Sequence, residues 1–466
     1  MSDNSAPEEK RQRRFKREKK VGEGTDEYGD YDLIPLSMVQ GGSLKPFKVH
    51  KKPMKHIINA SSPAPRGWYK DKNEPSNRRP RPCFVETLLT TPFGGFCPIS
   101  CAFCYVDNGT RGYRATGLPT VNPDYPDKLA KQLSNIQVCG AAYISSFTEP
   151  FQPLENHYHI TERLTNILLK EGLPVFYLSR KLPPKWAVEA LLENSYSYMQ
   201  WSVNTSNNDH YRKMSPGSYT IDEVLTAVSD LSYMGIYTSF QCNPIIAGVT
   251  TLDDLKELVR LGAEAGLDHI IFKFAEQVFN QRQLLIDRLT AHKLPNVDIF
   301  ESLFNQTIGG VYAVQQDVRV DWLNELLECT REHKITMSTC YEYYDNGAAG
   351  ASLAPWFTTS RGGCHGQIVP VHYRSEPNQP FVPLPGCFES GCLYCEEYGT
   401  QACDNDILLD AKALAYKDLR TIQLSGYESN WKLKGSAPDP YSMHDYNYWY
   451  PDKQTFAEYY GWDIDE

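Results

Sequence analysis

The chain has 466 residues, 41% hydrophobic and 22% charged, with a formal net charge of −10. This is the composition of a soluble globular protein with apolar side chains enough for a large core. It contains no run of about 18 apolar residues, which excludes a transmembrane helix. The opening MSDNSAPEEKRQRRFKREKK has no apolar stretch behind its charges, which excludes a secretory signal.

Charge is unevenly spread. Residues 1–82 hold 19 Lys/Arg against 11 Asp/Glu, a balance of +8 that leaves −18 for the remainder. The segments RQRRFKREKK, KVHKKPMKH and NRRPRP carry the excess. We expect a basic, largely flexible extension over 1–82 on an acidic body. It reads equally as a polyanion-binding arm, for DNA above all, and as a solvated tail to roughly Leu44.

From Cys83 the pattern changes to alternating strand and helix. CFVETLLTT reads as a first strand and GAAYISSF as a second. The helix HITERLTNILLKEG follows, where Ile160, Leu164, Ile167 and Leu168 share a face and Gly172 suits the C-terminal cap. Strand PVFYLS, helix PKWAVEALLEN and strand SYMQWSVNT come next. Helix TIDEVLTAVSDLSYMG has Val224, Val228 and Leu231 in register, and leads to strand IYTSFQCNPII, helix TLDDLKELVRLGAEAG and strand DHIIFKF. About six β/α units in roughly 200 residues argue for a parallel sheet curled into a barrel. Helix RVDWLNELLECTREH and the strand-like KITMSTCYE extend it. The expected fold is α/β, a partial (β/α)6-type barrel over 83–345, with the N-terminal extension and a C-terminal cysteine-rich, aromatic region at 346–466.

Of 13 cysteines, seven fall in two short stretches. Without a secretory context such spacing points to metal ligands or catalytic thiols rather than disulfides, and to a reducing cytoplasm. In GGFCPISCAFCYVDNG, Cys97, Cys101 and Cys104 follow the first strand as C-x3-C-x2-C. Gly94, Gly95 and Pro98 favour the turn that would gather them. Thiolates suit zinc or iron–sulfur. Zinc would want a fourth ligand close by, and only Asp107 follows; a cubane cluster on three thiolates leaves one iron open to a substrate or cofactor.

This loop, placed after the first strand of an α/β barrel, resembles the radical S-adenosylmethionine (SAM) superfamily. SSFTEPFQPLENHYHITERLTNILL and MQWSVNTSNNDHYRKMSPGSYTIDEVLTAVSDLSYMGIYTSFQCNPIIAGVTTLDDL look like the subgroup related to spore photoproduct lyase, also labelled DNA-repair-photolyase-like. The resemblance covers about residues 83–275. It implies a [4Fe-4S] cluster on Cys97, Cys101 and Cys104, SAM bound at the open iron, and a 5′-deoxyadenosyl radical that abstracts hydrogen from an unreactive carbon. It implies an external one-electron donor such as flavodoxin or ferredoxin, and no membrane. It also places Tyr105 beside the adenine, Thr148 and Glu149 at the SAM amino group, Ser202, Asn204 and Thr205 at its ribose or carboxylate, and Asn243 with Pro244 to Ile246 at the adenine pocket. All sit at C-terminal strand ends, where barrel active sites gather; polar residues there also cap the helices that follow. Spore photoproduct lyase itself returns hydrogen from a cysteine near the end of the second strand. Phe147 takes that slot here, with the nearest thiol, Cys139, at the strand's start. That argues against thymine-dimer repair by this route.

A second group, Cys387, Cys392, Cys395 and Cys403, is spaced C-x4-C-x2-C-x7-C. It suits a structural zinc or a second [4Fe-4S] cluster, with Cys340 and Cys364 as replacement ligands or plain buried thiols. Cys242 and Cys329 read as core. Arg111, Tyr113 and Arg114 suit a phosphate and a base, or an ordinary surface turn. The acidic, Tyr- and Trp-rich tail reads as packed on the barrel.

The chain is thus expected to be a radical SAM enzyme that modifies or repairs a nucleobase or nucleotide, in DNA. The alternatives are a radical SAM maturase of a peptide or protein, and a non-catalytic nucleic-acid-binding metalloprotein.

Overall fold

Residues 22–26, 29–36 and 45–51 form strands. The computed structural model describes residues 22–36, 43–51, 88–106, 119–383 and 413–415, apart from single residues and short internal stretches. Strands β1 (Gly22–Asp26) and β2 (Gly29–Leu36) make a hairpin, and β2 pairs along its length with β3 (Lys45–Lys51). Every second side chain of β2 turns inward, so Asp32, Ile34 and Leu36 are buried. Asp32 is met by Lys51 at 3.0 Å and by the Tyr158 hydroxyl at 3.0 Å. The expected flexible extension over 1–82 is therefore corrected for these residues. RQRRFKREKK and NRRPRP lie outside the described residues.

Strand β4 (Leu88–Thr90) opens the barrel, and β5 (Phe93–Gly94) runs into the cysteine loop. β5 pairs with β6 (Thr120–Val121), and β6 pairs in parallel with β3. The resulting small sheet, in order β1-β2-β3-β6-β5, ties the N-terminal strands to the loop that carries the cysteines.

The chain then lays down α1 (Tyr125–Leu133), β7 (Ile136–Cys139), β8 (Ala142–Ile144), α2 (Glu155–Tyr158), α3 (Ile160–Lys170), β9 (Val175–Ser179), α4 (Lys185–Glu193) and β10 (Tyr198–Trp201). It continues with α5 (Asn208–Met214), α6 (Ile221–Tyr233), β11 (Tyr237–Ile245), α7 (Leu252–Ala265) and β12 (His269–Phe274). The insertion β13 (Glu276–Val278), α8 (Arg282–Ala291), α9 (Val297–Leu303), β14 (Gln306–Ile308) and β15 (Val311–Ala313) precedes α10 (Gln316–Glu332) and β16 (Thr336–Thr339). The main sheet runs β4-β8-β9-β10-β11-β12-β16, and every neighbouring pair is parallel. It is the expected partial barrel.

Alternation along the strands sorts side chains between two faces. Met199 and Trp201 pack in the main core with the buried faces of the helices, such as Leu164 and Leu168 of α3 or Val224 and Val228 of α6. Tyr198 and Gln200 therefore face the barrel interior. Cross-strand register sets Tyr198 between Phe176 and Tyr237, and Phe176 stacks on Tyr143 and Tyr198 at 4.6 and 4.7 Å between centroids. This aromatic layer sits at the N-terminal end of the strands and is lined by Val369 and His365.

Local signals fix the helix ends. Thr220 and Glu223 form a capping box on α6, the Thr251 side chain caps α7, and Gly266 ends α7 at φ +87. Both Glu155 oxygens accept α3 amides, from Thr161 and Glu162 at 2.8 Å each, so this carboxylate acts as a helix cap. Among the described residues no helix is long and apolar enough to cross a membrane.

Candidate active site at the cysteine loop

The loop from Cys97 to Cys104 turns twice on itself. Ser100 N donates to the Cys97 carbonyl at 3.3 Å and Cys104 N to the Cys101 carbonyl at 3.2 Å, with Ser100 at φ 52. The end of α5 and the segment after it clamp it from outside: Ala102 N donates to Met214 O at 2.8 Å, and Gly217 N donates to Ile99 O at 3.1 Å. The Ser215 hydroxyl points at Cys101 Sγ, 3.4 Å away. A side chain at Gly217 would collide with the backbone of Pro98 and Ile99, so the close approach needs glycine. Cys97 is buried, Cys101 and Cys104 are half-buried, and none is in a disulfide.

Behind the loop lies Arg180, just past the end of β9 and 7% exposed. Its guanidinium donates to Ser202 O at 2.8 Å and to Asn243 O at 3.5 Å, which joins the ends of β9, β10 and β11. It also stands 5.0 Å from the ring centre of Phe103, between Cys101 and Cys104, and 5.9 Å from that of Tyr211. Burial works to lower the Arg180 pKa, but Cys101, Tyr211 and Glu149 hold it above the ordinary value. Burial likewise pushes the Tyr211 hydroxyl up to about 12.

Glu149 supports this arrangement. Its carboxylate accepts from Ser179 Oγ at 2.6 Å, Arg180 N at 3.0 Å and Phe151 N at 3.1 Å. Burial raises its pKa above the usual carboxylate range, and the donors from Arg180, Ser179 and Phe151 oppose that rise. Thr148, also buried, donates to Phe93 O at 2.9 Å, just before the cysteine loop.

The other expected SAM contacts divide. Ser202 and Asn243 converge on Arg180 through their carbonyls. Asn204 is fully buried and donates to Pro244 O at 3.0 Å, while its Oδ1 is buried without a hydrogen-bond partner. Tyr105 is 54% exposed, with its ring 6.3 Å from that of Phe147. Thr205 points elsewhere: its hydroxyl donates to Asp254 at 2.5 Å, and Ser206 N donates to the same carboxylate at 2.7 Å. Cys242, Cys329, Cys340 and Cys364 are all buried. Cys387, Cys392, Cys395 and Cys403, with Arg111, Tyr113 and Arg114, lie outside the described residues.

The donors fit an iron–sulfur cluster: three soft thiols on one eight-residue loop, clamped at Ile99 and Ala102, with a buried cation behind. The unpartnered Asn204 Oδ1 leaves an acceptor at the strand ends for a bound molecule.

The model of the radical SAM superfamily matches residues 91–262. A radical SAM Nalpha-GlyT isomerase of Pseudomonas phage M6 is 37% identical over 377 residues, covering 79% of this chain and 78% of that protein. The chain belongs to the radical SAM superfamily. Membership makes it an enzyme and implies a [4Fe-4S] cluster and SAM. Among solved structures, a spore photoproduct lyase mutant with bound AdoMet and dinucleoside spore photoproduct is similar, with a TM-score of 0.40 and 13% identity; 57% of this chain and 76% of that one are covered. Streptococcus suis SuiB bound to precursor peptide SuiA gives a TM-score of 0.31 and 16% identity, and the chain spans 47% of its length.

Three residues of this candidate site escaped the sequence reading. Arg180 sits in LSRKL, which looks like a surface turn, and Ser215 and Gly217 sit in MSPGS, which looks like a helix-to-helix link. Their roles come from contacts far along the chain. Only the bare glycine of the second segment carried a local signal.

Proposed function

We propose that this radical SAM enzyme is an isomerase of the Nalpha-GlyT type, working on a modified nucleobase in DNA. One observation carries the reading: the likeness to the phage isomerase runs over 377 residues, far beyond the 91–262 matched by the superfamily model. A shared barrel alone would not extend so far. The basic segments within residues 1–82 supply charge suited to a polyanion.

Cys97, Cys101 and Cys104 would hold the cluster, and Tyr105, Thr148, Ser202, Asn204 and Asn243 would surround SAM. Bound together, these cofactors supply a 5′-deoxyadenosyl radical that removes hydrogen from an unreactive carbon. Glu149 and Thr205, assigned to SAM on sequence alone, serve in this reading as the frame. Glu149 fixes the turn that bears Arg180, and Thr205 fixes the start of α7. Phe147 offers no thiol hydrogen, so in a rearrangement whose product keeps the atoms of its substrate the hydrogen taken would return from 5′-deoxyadenosine. Cys387, Cys392, Cys395 and Cys403 would hold a second metal, zinc or iron–sulfur. An external one-electron donor of the flavodoxin or ferredoxin kind would complete the system.

The test is anaerobic. Protein reconstituted with iron and sulfide is incubated with SAM, dithionite and DNA carrying the modified base, and the DNA is digested to nucleosides. The expected result is a nucleoside of unchanged mass and new retention time, formed by wild type and not by Cys101→Ala. Formation of 5′-deoxyadenosine with peptide altered and DNA untouched would replace this reading with that of a maturase. DNA binding should weaken steeply with salt, and a deletion confined to residues 1–21 would probe the arm without cutting into β1.

A further inference from the structure

We propose that Arg180 is the built-in counter-charge of the iron–sulfur cluster, a positioning residue that makes the cluster easier to reduce. The inference rests on the assignment of Cys97, Cys101 and Cys104 as the cluster's ligands.

Three observations lead there. First, the guanidinium is buried, yet its hydrogen bonds go to neutral carbonyl oxygens, those of Ser202 and Asn243. Among the described residues no ion pair neutralises it. Glu149, which accepts from the Arg180 amide, spends its oxygens on that amide, Ser179 and Phe151 and makes no hydrogen bond or ion pair with the guanidinium. A buried cation without an anion is costly, so a site that keeps one is built for a negative partner. Second, that partner is at hand: the guanidinium stacks on Phe103, which lies inside the loop between Cys101 and Cys104. Third, its position is over-determined. The carbonyl ends of β10 and β11, the Phe103 and Tyr211 rings and the Glu149 anchor hold it in place, so it would lose little freedom when the cluster is bound.

The sign follows from Coulomb's law. Three thiolates make the loaded site negative, and reduction adds one more negative charge. A fixed cation stabilises the reduced form more than the oxidised one and raises the potential. Burial excludes the water that would otherwise screen the effect.

SAM carries a carboxylate, which is a second anion a guanidinium could meet, so the experiment separates the two. Wild type, Arg180→Gln and Arg180→Lys are reconstituted, their iron and sulfide are quantified, and each is titrated electrochemically by EPR with and without SAM. In Arg180→Gln without SAM, the ratio of reduced to oxidised cluster at a fixed potential should fall roughly tenfold, equivalent to about 59 mV for one electron; Arg180→Lys should recover most of it. If Arg180→Gln does not fold, Ser202→Asp provides the same test. Ser202 N donates to Ser179 O, which makes Ser202 the cross-strand neighbour of Arg180, and a carboxylate there would cancel the charge and lower the potential while keeping the arginine.

An unchanged potential without SAM, with only SAM affinity altered, would make Arg180 a SAM ligand and overturn the proposal. So would a lysine variant indistinguishable from glutamine, which would leave only the shape of the stack. Wild type that takes up no cluster would instead refute the ligand assignment itself, and iron analysis detects that before any titration.

Discussion

Gly217 presents its bare Cα to the carbonyl of Pro98 while its amide donates to Ile99 O at 3.1 Å. The segment after α5 thereby grips the cysteine loop at a point where no side chain fits. Gly217→Ala should push the loop away, at a cost of about 1–3 kcal/mol for the overpacking. Iron bound per chain after reconstitution should fall well below wild type, with far-UV circular dichroism little changed. Full iron loading in this variant would show that the loop does not need the contact.

Thr205 separates frame from cofactor site. Its hydroxyl donates to the Asp254 carboxylate, and Thr205→Ala should cost roughly 1.5–3 kcal/mol in urea denaturation, as for a hydrogen bond to a charged group. SAM affinity of the reconstituted protein should stay within about a factor of two, less than one hydrogen bond is worth. A large loss of SAM binding at unchanged stability would return Thr205 to the cofactor.

Glu342 and Arg319 form a buried ion pair at 2.8 Å. Glu342 also accepts from Phe274 N, and Arg319 donates to Val314 O and Tyr343 O. Both line a small pocket with Glu276 and Ile308, at the C-terminal ends of β12 and β16. Glu342→Ala would leave the guanidinium buried beside neutral carbonyls. The expected loss is about 3–5 kcal/mol, measurable by thermal or chemical unfolding. A loss below about 1 kcal/mol, the scale of an exposed pair, would mean that water reaches the pair.

Acid should destabilise the protein through two histidines. Burial holds His269 down at about 3 and His372 at about 4, against an ordinary value of 6.5. The unfolded chain therefore binds these protons more readily. The stability they lend is complete above about pH 6.5 and is lost as pH falls from there through about 4 and 3. The slope approaches about 1.4 kcal/mol per pH unit for each histidine. Urea midpoints measured from about pH 7.5 down to about pH 5 should fall accordingly, and His269→Gln should remove one proton's worth of slope. An unaltered slope in that variant would place the acid sensitivity elsewhere.

The barrel and its cysteines were legible because their signals are local. Helix faces such as Ile160, Leu164 and Leu168 repeat at helical spacing, strands and helices alternate, and C-x3-C-x2-C needs only eight residues. β1 to β3 were not legible. GEGTD and KPFKVHK are polar, and what makes them strands is pairing with distant partners, His50 with Thr120 among them. Glu149 and Thr205 were placed at the correct strand ends, but the sequence does not show that Ser179, Arg180 and Asp254 already occupy them. Arg180 was invisible for the same reason, since a lone arginine becomes a buried cation only when three strand ends and one loop converge on it.

The small sheet around the cysteine loop also bears on the order of assembly. β9 and β10 meet across a single helix, whereas β3 must find β6 across a long stretch of chain, and closing that loop costs more entropy. Until β3 meets β6, the cysteines sit on a loop not yet fastened from the N-terminal side. In metal-free protein, amides of Lys45–Lys51 should exchange with solvent faster than those of Tyr198–Trp201, and loading should slow the former most.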